Sequence, residues 1–121
     1  MAIEKVRKGE IVDVDFYFPD KDTTLHHPGI VVSTQELQED ENGMVYILLI
    51  SSKNIHPKYT IKLTDEMVTK PLGKQSYFVT QFLMYFSKEE INFSYGRAIR
   101  QPYLDQVIAK TIDSIFGWEV S

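Results

Sequence analysis

Hydrophobic and polar residues alternate along Gly9–Phe18. Val12, Val14, Phe16 and Phe18 fall on one face, and Asp13, Asp15 and Tyr17 on the other. That period of two is the signature of a half-buried strand. Pro19-Asp20 ends it, and a polar stretch through His26-His27-Pro28-Gly29 leads to a second, β-branched strand, Ile30-Val31-Val32-Ser33. Glu36 to Gly43 reads as an exposed turn, with Asn42-Gly43 supplying residues that tolerate positive φ. Met44–Ser52 is apolar on both faces, as a central strand is, and Tyr59–Leu63 is a short alternating strand. Ser76–Phe86 is the longest strand candidate. Phe78, Phe82, Met84 and Phe86 line one of its faces and Tyr77, Val79, Leu83 and Tyr85 the other, so both sides need cover. After Pro102 the period lengthens: Leu104, Val107, Ile108, Thr111, Ile112, Ile115 and Phe116 make a helical stripe. Pro102 suits the first turn of that helix, about residues 102–117, and Gly117 its C-terminal cap.

Five to seven strands followed by one helix predict a mainly β protein. Strand spacing of about ten residues favours a small β-barrel or a strongly curved sheet over a parallel α/β fold. A chain of 121 residues supports one core, so residues 1–121 are expected to form a single domain. No internal repeat or low-complexity segment interrupts it.

Composition narrows the class. Hydrophobic residues make up 43% and charged residues 25%, ordinary for a globular protein. The longest apolar run, Val45–Ile50, is far short of a membrane span, and the charged start lacks the apolar stretch of a signal peptide. The expectation is a cytoplasmic protein with no membrane partner. Without cysteine, disulfides, thiolate metal sites and thiol nucleophiles are excluded. The net charge of −4 argues against bulk electrostatic binding of nucleic acid. Its distribution is uneven, with four Lys/Arg against ten Asp/Glu in residues 1–50 and nine against seven thereafter. A nucleic-acid site must therefore be local.

Phosphate-binding glycine loops, zinc-ligand spacings and serine-hydrolase elbows are missing from the sequence. Three histidines, His26, His27 and His56, remain as metal candidates, but adjacent residues of an extended segment point opposite ways, so no metal site and no cofactor is expected. Ser51-Ser52-Lys53-Asn54 gathers two hydroxyls, an ammonium and an amide where a central strand ends. These groups can hold a phosphate oxygen, or simply terminate the strand by bonding its last backbone groups. Arg97 and Arg100 can neutralise phosphates or pair with the acidic first half, and Tyr59, Tyr77 and Tyr85 can stack on bases or fill core. Asp13 and Asp15 form either a carboxylate pair or a solvated face.

In succession, four segments resemble the MazF/PemK/Kid toxins. Lys8-Gly9-Glu10-Ile11-Val12-Asp13-Val14-Asp15-Phe16 resembles their opening strand, and His27-Pro28-Gly29-Ile30-Val31-Val32-Ser33 their Arg-Pro-Ala-Leu-Val-Ile-Ser segment. Val45–Ser52 resembles the next strand, which typically ends in Thr-Ser, and Ser76–Phe82 the strand with an Asp/Glu-Gln-Ile/Val-Arg signature. The terminal helix agrees, and the likeness spans about residues 7–117. It implies an SH3-like barrel closed by a helix, a homodimer, and a metal-independent endoribonuclease cutting single-stranded RNA to a cyclic phosphate and a 5′-hydroxyl. A cognate antitoxin is the implied partner. His27 stands where the family has a catalytic arginine, Ser51 where it has a threonine, and Leu83 where it has a second arginine. The resemblance thus implies His27 and Ser51 as catalytic residues and Ser52, Lys53, Asn54 and Arg97 as substrate contacts. The lost arginines leave three outcomes: a mechanism shifted to His27, compensation by Lys53 or Arg97, or a barrel that binds protein or RNA without cutting. The CcdB gyrase poisons share the architecture, so the barrel alone does not fix the target.

Overall fold

The computed structural model describes residues 5–117. The four residues at each end, which the single-domain reading of 1–121 includes, lie outside the described residues. Six antiparallel strands and two helices follow in the order β1 (Glu10–Phe18), β2 (Thr23–Val31), α1 (Gln35–Asp40), β3 (Met44–Ser51), β4 (Thr60–Leu63), β5 (Ser76–Ser87), β6 (Phe93–Ala98) and α2 (Gln101–Phe116). The strands form one sheet in the order β4-β5-β3-β2-β1-β6. Its two edges meet through a bridge between Val68 and Ile99, flanked by Thr69 N–H to the Ala98 carbonyl at 2.9 Å and Arg100 N–H to the Met67 carbonyl at 2.7 Å. The sheet is thereby curled nearly into a barrel, which removes most exposed edge.

Both faces of the sheet carry core. Val12, Val14, Phe16, Val31, Val45, Ile47, Leu49 and Phe86 pack on one side; Ile11, Ile30, Leu48, Ile50 and Phe78 pack on the other with Leu104 and Val107 of α2. The helix is thus the cover that the two-faced strands demanded. Buried Thr80 of β5 pins it through a 2.6 Å hydrogen bond to Ser114. Gly117 caps it at φ 72°, its N–H bonded to the Ile112 and Asp113 carbonyls.

Four expectations are corrected. β2 begins at Thr23 rather than Ile30, because the polar run through His26-His27 pairs fully with β1. The segment expected as a turn contains α1, capped by the Thr34 hydroxyl accepting from Leu37 N–H at 3.1 Å. β6 was not anticipated. The regular alternation expected of β5 is broken: Leu48 pairs with Leu83 but Ile50 with Phe78, so β5 carries extra residues between these pairs. That irregularity turns Phe78 onto the helix side while Phe82 and Phe86 face the other, and such bulges bend a sheet.

Gly29 is required by packing. A Cβ there would lie 2.4 Å from Ile47 Cγ2 and 3.1 Å from the Leu48 carbonyl oxygen. Gly29→Ala is therefore expected to lower unfolding stability by about 1–3 kcal/mol, read as a shift in the urea midpoint at unchanged slope.

Candidate active-site cleft

Pro28 has no N–H to offer a neighbouring strand, and the β2–β3 ladder ends beside it at Gly29–Leu49. Beyond that pair the strands part. The cleft between them, about 640 Å³, has the end of the β1–β2 hairpin on one side (Phe18, Asp20, Lys21, Leu25) and the segment from Ser51 to Ile55 on the other. A smaller cavity of about 190 Å³, lined by Asp13, His26, Lys74, Ser76 and Tyr95, adjoins it. His27, Ser51 and Ser52 border both.

His27 is half-buried, with its ring 5.5 Å from that of Phe18. Burial pushes its pKa below the usual 6.5; His26 and Lys74 add to this, while Asp13 and a hydrogen bond to the Ile50 backbone oppose it. The imidazole is therefore neutral at pH 7, able to accept a proton. The unfolded chain binds the extra proton first, so this site's contribution to stability is complete above about pH 6.5 and is lost as pH falls through the lower folded pKa. Any reaction that uses His27 as a base should likewise persist below pH 6.5 and fall only with that lower pKa. The pH–rate profile of the unaltered protein checks it: an acid limb with its midpoint below pH 6.5 is expected.

Ser51 is 5% exposed and its Oγ accepts from Lys53 N–H at 3.2 Å, so the hydroxyl both tightens the turn and borders the cleft. Ser52 and Lys53 are exposed at its rim. Asn54 also borders it, but its Oδ1 accepts from Thr60 Oγ1 and ties the loop to β4. Arg97 lies apart from these groups. It lines a separate recess with Arg7, Glu10 and Thr69, and its Nη1 donates to the Pro71 carbonyl at 2.6 Å. Leu83 is also elsewhere, in an apolar groove with Val32, Tyr46, Ile108 and Phe116. Among the described residues no group of three or more His, Cys, Asp or Glu side chains is arranged to hold a metal ion, and no helix is long and apolar enough to cross a membrane.

The sequence pattern missed Lys21, Lys74 and Tyr95, and it left Asp13 between a carboxylate pair and a solvated face. Asp13 is in fact 2% exposed. Its Oδ2 accepts from Asn92 Nδ2 at 2.9 Å, and its Oδ1 lies 3.4 Å from both Tyr95 OH and His26 Nδ1. The covering residues come from β6 and the segment before it, which the sequence pattern did not reveal.

Comparison with solved structures decides what this architecture is. MazF from Deinococcus radiodurans superposes with a TM-score of 0.71 at 12% identity, over 90% of this chain and 94% of that one. The chain has the MazF fold. An endoribonuclease in complex with its cognate antitoxin from a mycobacterial species matches with a TM-score of 0.69 at 12% identity, covering 97% of this chain and 100% of that one. A MazE–MazF complex from D. radiodurans contributes a further match at TM-score 0.66 and 13% identity, over 94% and 97% of the two chains. No family model and no curated protein sequence matches the chain. Within the MazF fold, the cleft described above is bounded by the end of β3 and by the β1–β2 hairpin.

Proposed function

We propose that this protein is a toxin-type endoribonuclease that cuts single-stranded RNA without a metal ion. The observation that carries the reading is the meeting of His27 and Ser51 at the junction of two cavities, on a fold whose solved relatives include endoribonucleases. The 2′-hydroxyl attacks the adjacent phosphorus, the P–O5′ bond breaks, and a 2′,3′-cyclic phosphate and a 5′-hydroxyl remain. His27, neutral at pH 7, takes the 2′-hydroxyl proton. The Ser51 hydroxyl donates to a non-bridging oxygen, and Lys53, with Ser52 beside it, offsets the charge that builds on the phosphorane. Asn54 holds the loop that carries them. Arg97 has no part in this step, since it lines another recess.

A homodimer and a cognate antitoxin complete the reading. Tyr46 and Tyr85 meet in the open with ring centroids 4.5 Å apart and planes tilted by 41°, and Phe116 is 75% exposed beside the apolar groove. An exposed aromatic surface of this kind suits a second copy, and sedimentation at micromolar concentration should report a dimer. Three of the matching structures pair an endoribonuclease or MazF with a cognate antitoxin or MazE, which supports an antitoxin as the restraining partner; the reading places both in the cytoplasm.

A single-stranded RNA and the DNA of the same sequence, incubated with the protein in EDTA, test the activity. The RNA should be cut into discrete fragments and the DNA left whole. If folded protein leaves both intact but retards the RNA in a gel, the chain is a binding module. The loss of both family arginines favours that second reading.

A further inference from the structure

Asp13 is a buried carboxylate, and a buried charge needs a reason. Its partners come from three parts of the chain: Asn92 before β6, Tyr95 on β6, and His26 on β2. Of these only His26 can carry a positive charge, and its imidazole is 74% exposed while the carboxylate is 3% exposed. This is the arrangement of an oriented imidazole. Nδ1 lies 3.4 Å from the carboxylate, and the ring stands open to solvent. His26 also borders the 190 Å³ cavity that His27 and Ser51 share with the main cleft.

We infer that His26, positioned by Asp13, is the general acid that protonates the leaving 5′-oxygen of the RNA. The assignment rests on the ribonuclease reading above. The step balances with the two imidazoles alone. His27 takes the proton from the 2′-hydroxyl as the 2′-O–P bond forms, and His26 gives its Nε2 proton to O5′ as the P–O5′ bond breaks. Solvent then returns each ring to its starting state. The β2–β3 ladder ends at Gly29, so this edge of β2 is open, and His26 and His27, from the two faces of the strand, both line the 190 Å³ cavity there. Their environments differ. His27 is held neutral by burial, with His26 and Lys74 adding to that, whereas His26 stands in solvent beside the Asp13 carboxylate, with Asp15 as its cross-strand partner. Tyr95 and Lys74 are the other titratable groups bordering the cavity. With such a pair in place, the absent family arginines are not needed for proton transfer.

The test compares two short RNAs, one with the natural linkage and one with sulfur in place of the scissile 5′-oxygen. A thiolate leaves without being protonated, so only the natural linkage needs the acid. His26→Ala is expected to lose about 10²-fold or more on the natural RNA and little on the sulfur-bridged one, because general acid catalysis supplies that factor. His27→Ala should lose on both. Asp13→Asn, which keeps the shape, should lose activity on the natural RNA and little on the sulfur-bridged one, a selectivity that loss of packing alone would not produce. Equal losses on both RNAs in His26→Ala, or none, would overturn the assignment. Wild-type protein that cuts neither RNA would instead overturn the ribonuclease reading itself, and the assignment with it.

Discussion

His27→Ala is expected to abolish RNA cleavage and leave the fold intact. The imidazole is the group in the cleft that is neutral at pH 7 for a stated physical cause and that also borders both cavities. Removing a positioned base typically costs about 10²–10⁴-fold in rate, which would take a slow ribonuclease below detection. The side chain is half-buried at the mouth of the sheet and is not part of either core cluster, so truncation should shift thermal unfolding little. His27→Arg separates two roles. Arginine contacts phosphate in a bidentate way but moves protons poorly at neutral pH. If the site works by proton transfer, this variant keeps RNA affinity and loses the acid limb of the rate profile. Full activity in His27→Ala would remove the residue from the mechanism.

Phe16→Ala has the largest expected effect on stability. Phe16 is fully buried, and its ring meets those of Phe82 and Phe86 edge-on at 5.6 and 5.4 Å. Its Cζ also lies 3.0 Å from where a Cβ on Gly29 would stand, so it packs directly on the strand that carries the histidines. Truncating such a residue costs about 3–5 kcal/mol, out of a total of about 5–15 kcal/mol for a domain of this kind. A fall in Tm of roughly 10–20 °C is expected. Activity should fall with the folded fraction. A calorimetric Tm within a few degrees of wild type would contradict this account of the core.

The parts of the fold legible in the sequence were those where one physical signal dominated. The strict alternation of Val12, Val14 and Phe16 named β1, the unbroken Val45–Ile50 run named β3, and the stripe from Leu104 to Phe116 named α2, since burial on one face leaves little choice of period. The segment Thr23–Pro28 was not legible. It is polar and half-exposed, contains a proline, and is a strand because β1 supplies a partner for it. β6 is an edge strand with two exposed and four half-buried residues, so its pattern carried no burial signal. The face assignments of β5 failed at the break between Phe78 and Leu83, a tertiary adjustment with no local mark.

The site divides in the same way. Ser51 to Asn54 stand together because they are contiguous, and His27 meets them because β2 and β3 are neighbours. Arg97 fails to join them although Tyr95 of the same strand borders the adjoining cavity, because its guanidinium is drawn into a separate recess by the Pro71 carbonyl. The burial of Asp13 was not legible because its partners Asn92 and Tyr95 come 79 and 82 positions later in the chain. Alternation reports which face a side chain is on; it does not report what later folds over that face.

The central claim is that RNA is cut through its own 2′-hydroxyl. The most direct measurement is the chemistry of the ends made from a long single-stranded RNA in EDTA. Fragments whose 5′ ends accept phosphate from a kinase without prior dephosphorylation, and whose 3′ ends carry a cyclic phosphate, are the predicted result. Fragments with 5′-phosphates, or RNA left intact by protein shown to be folded, would contradict it.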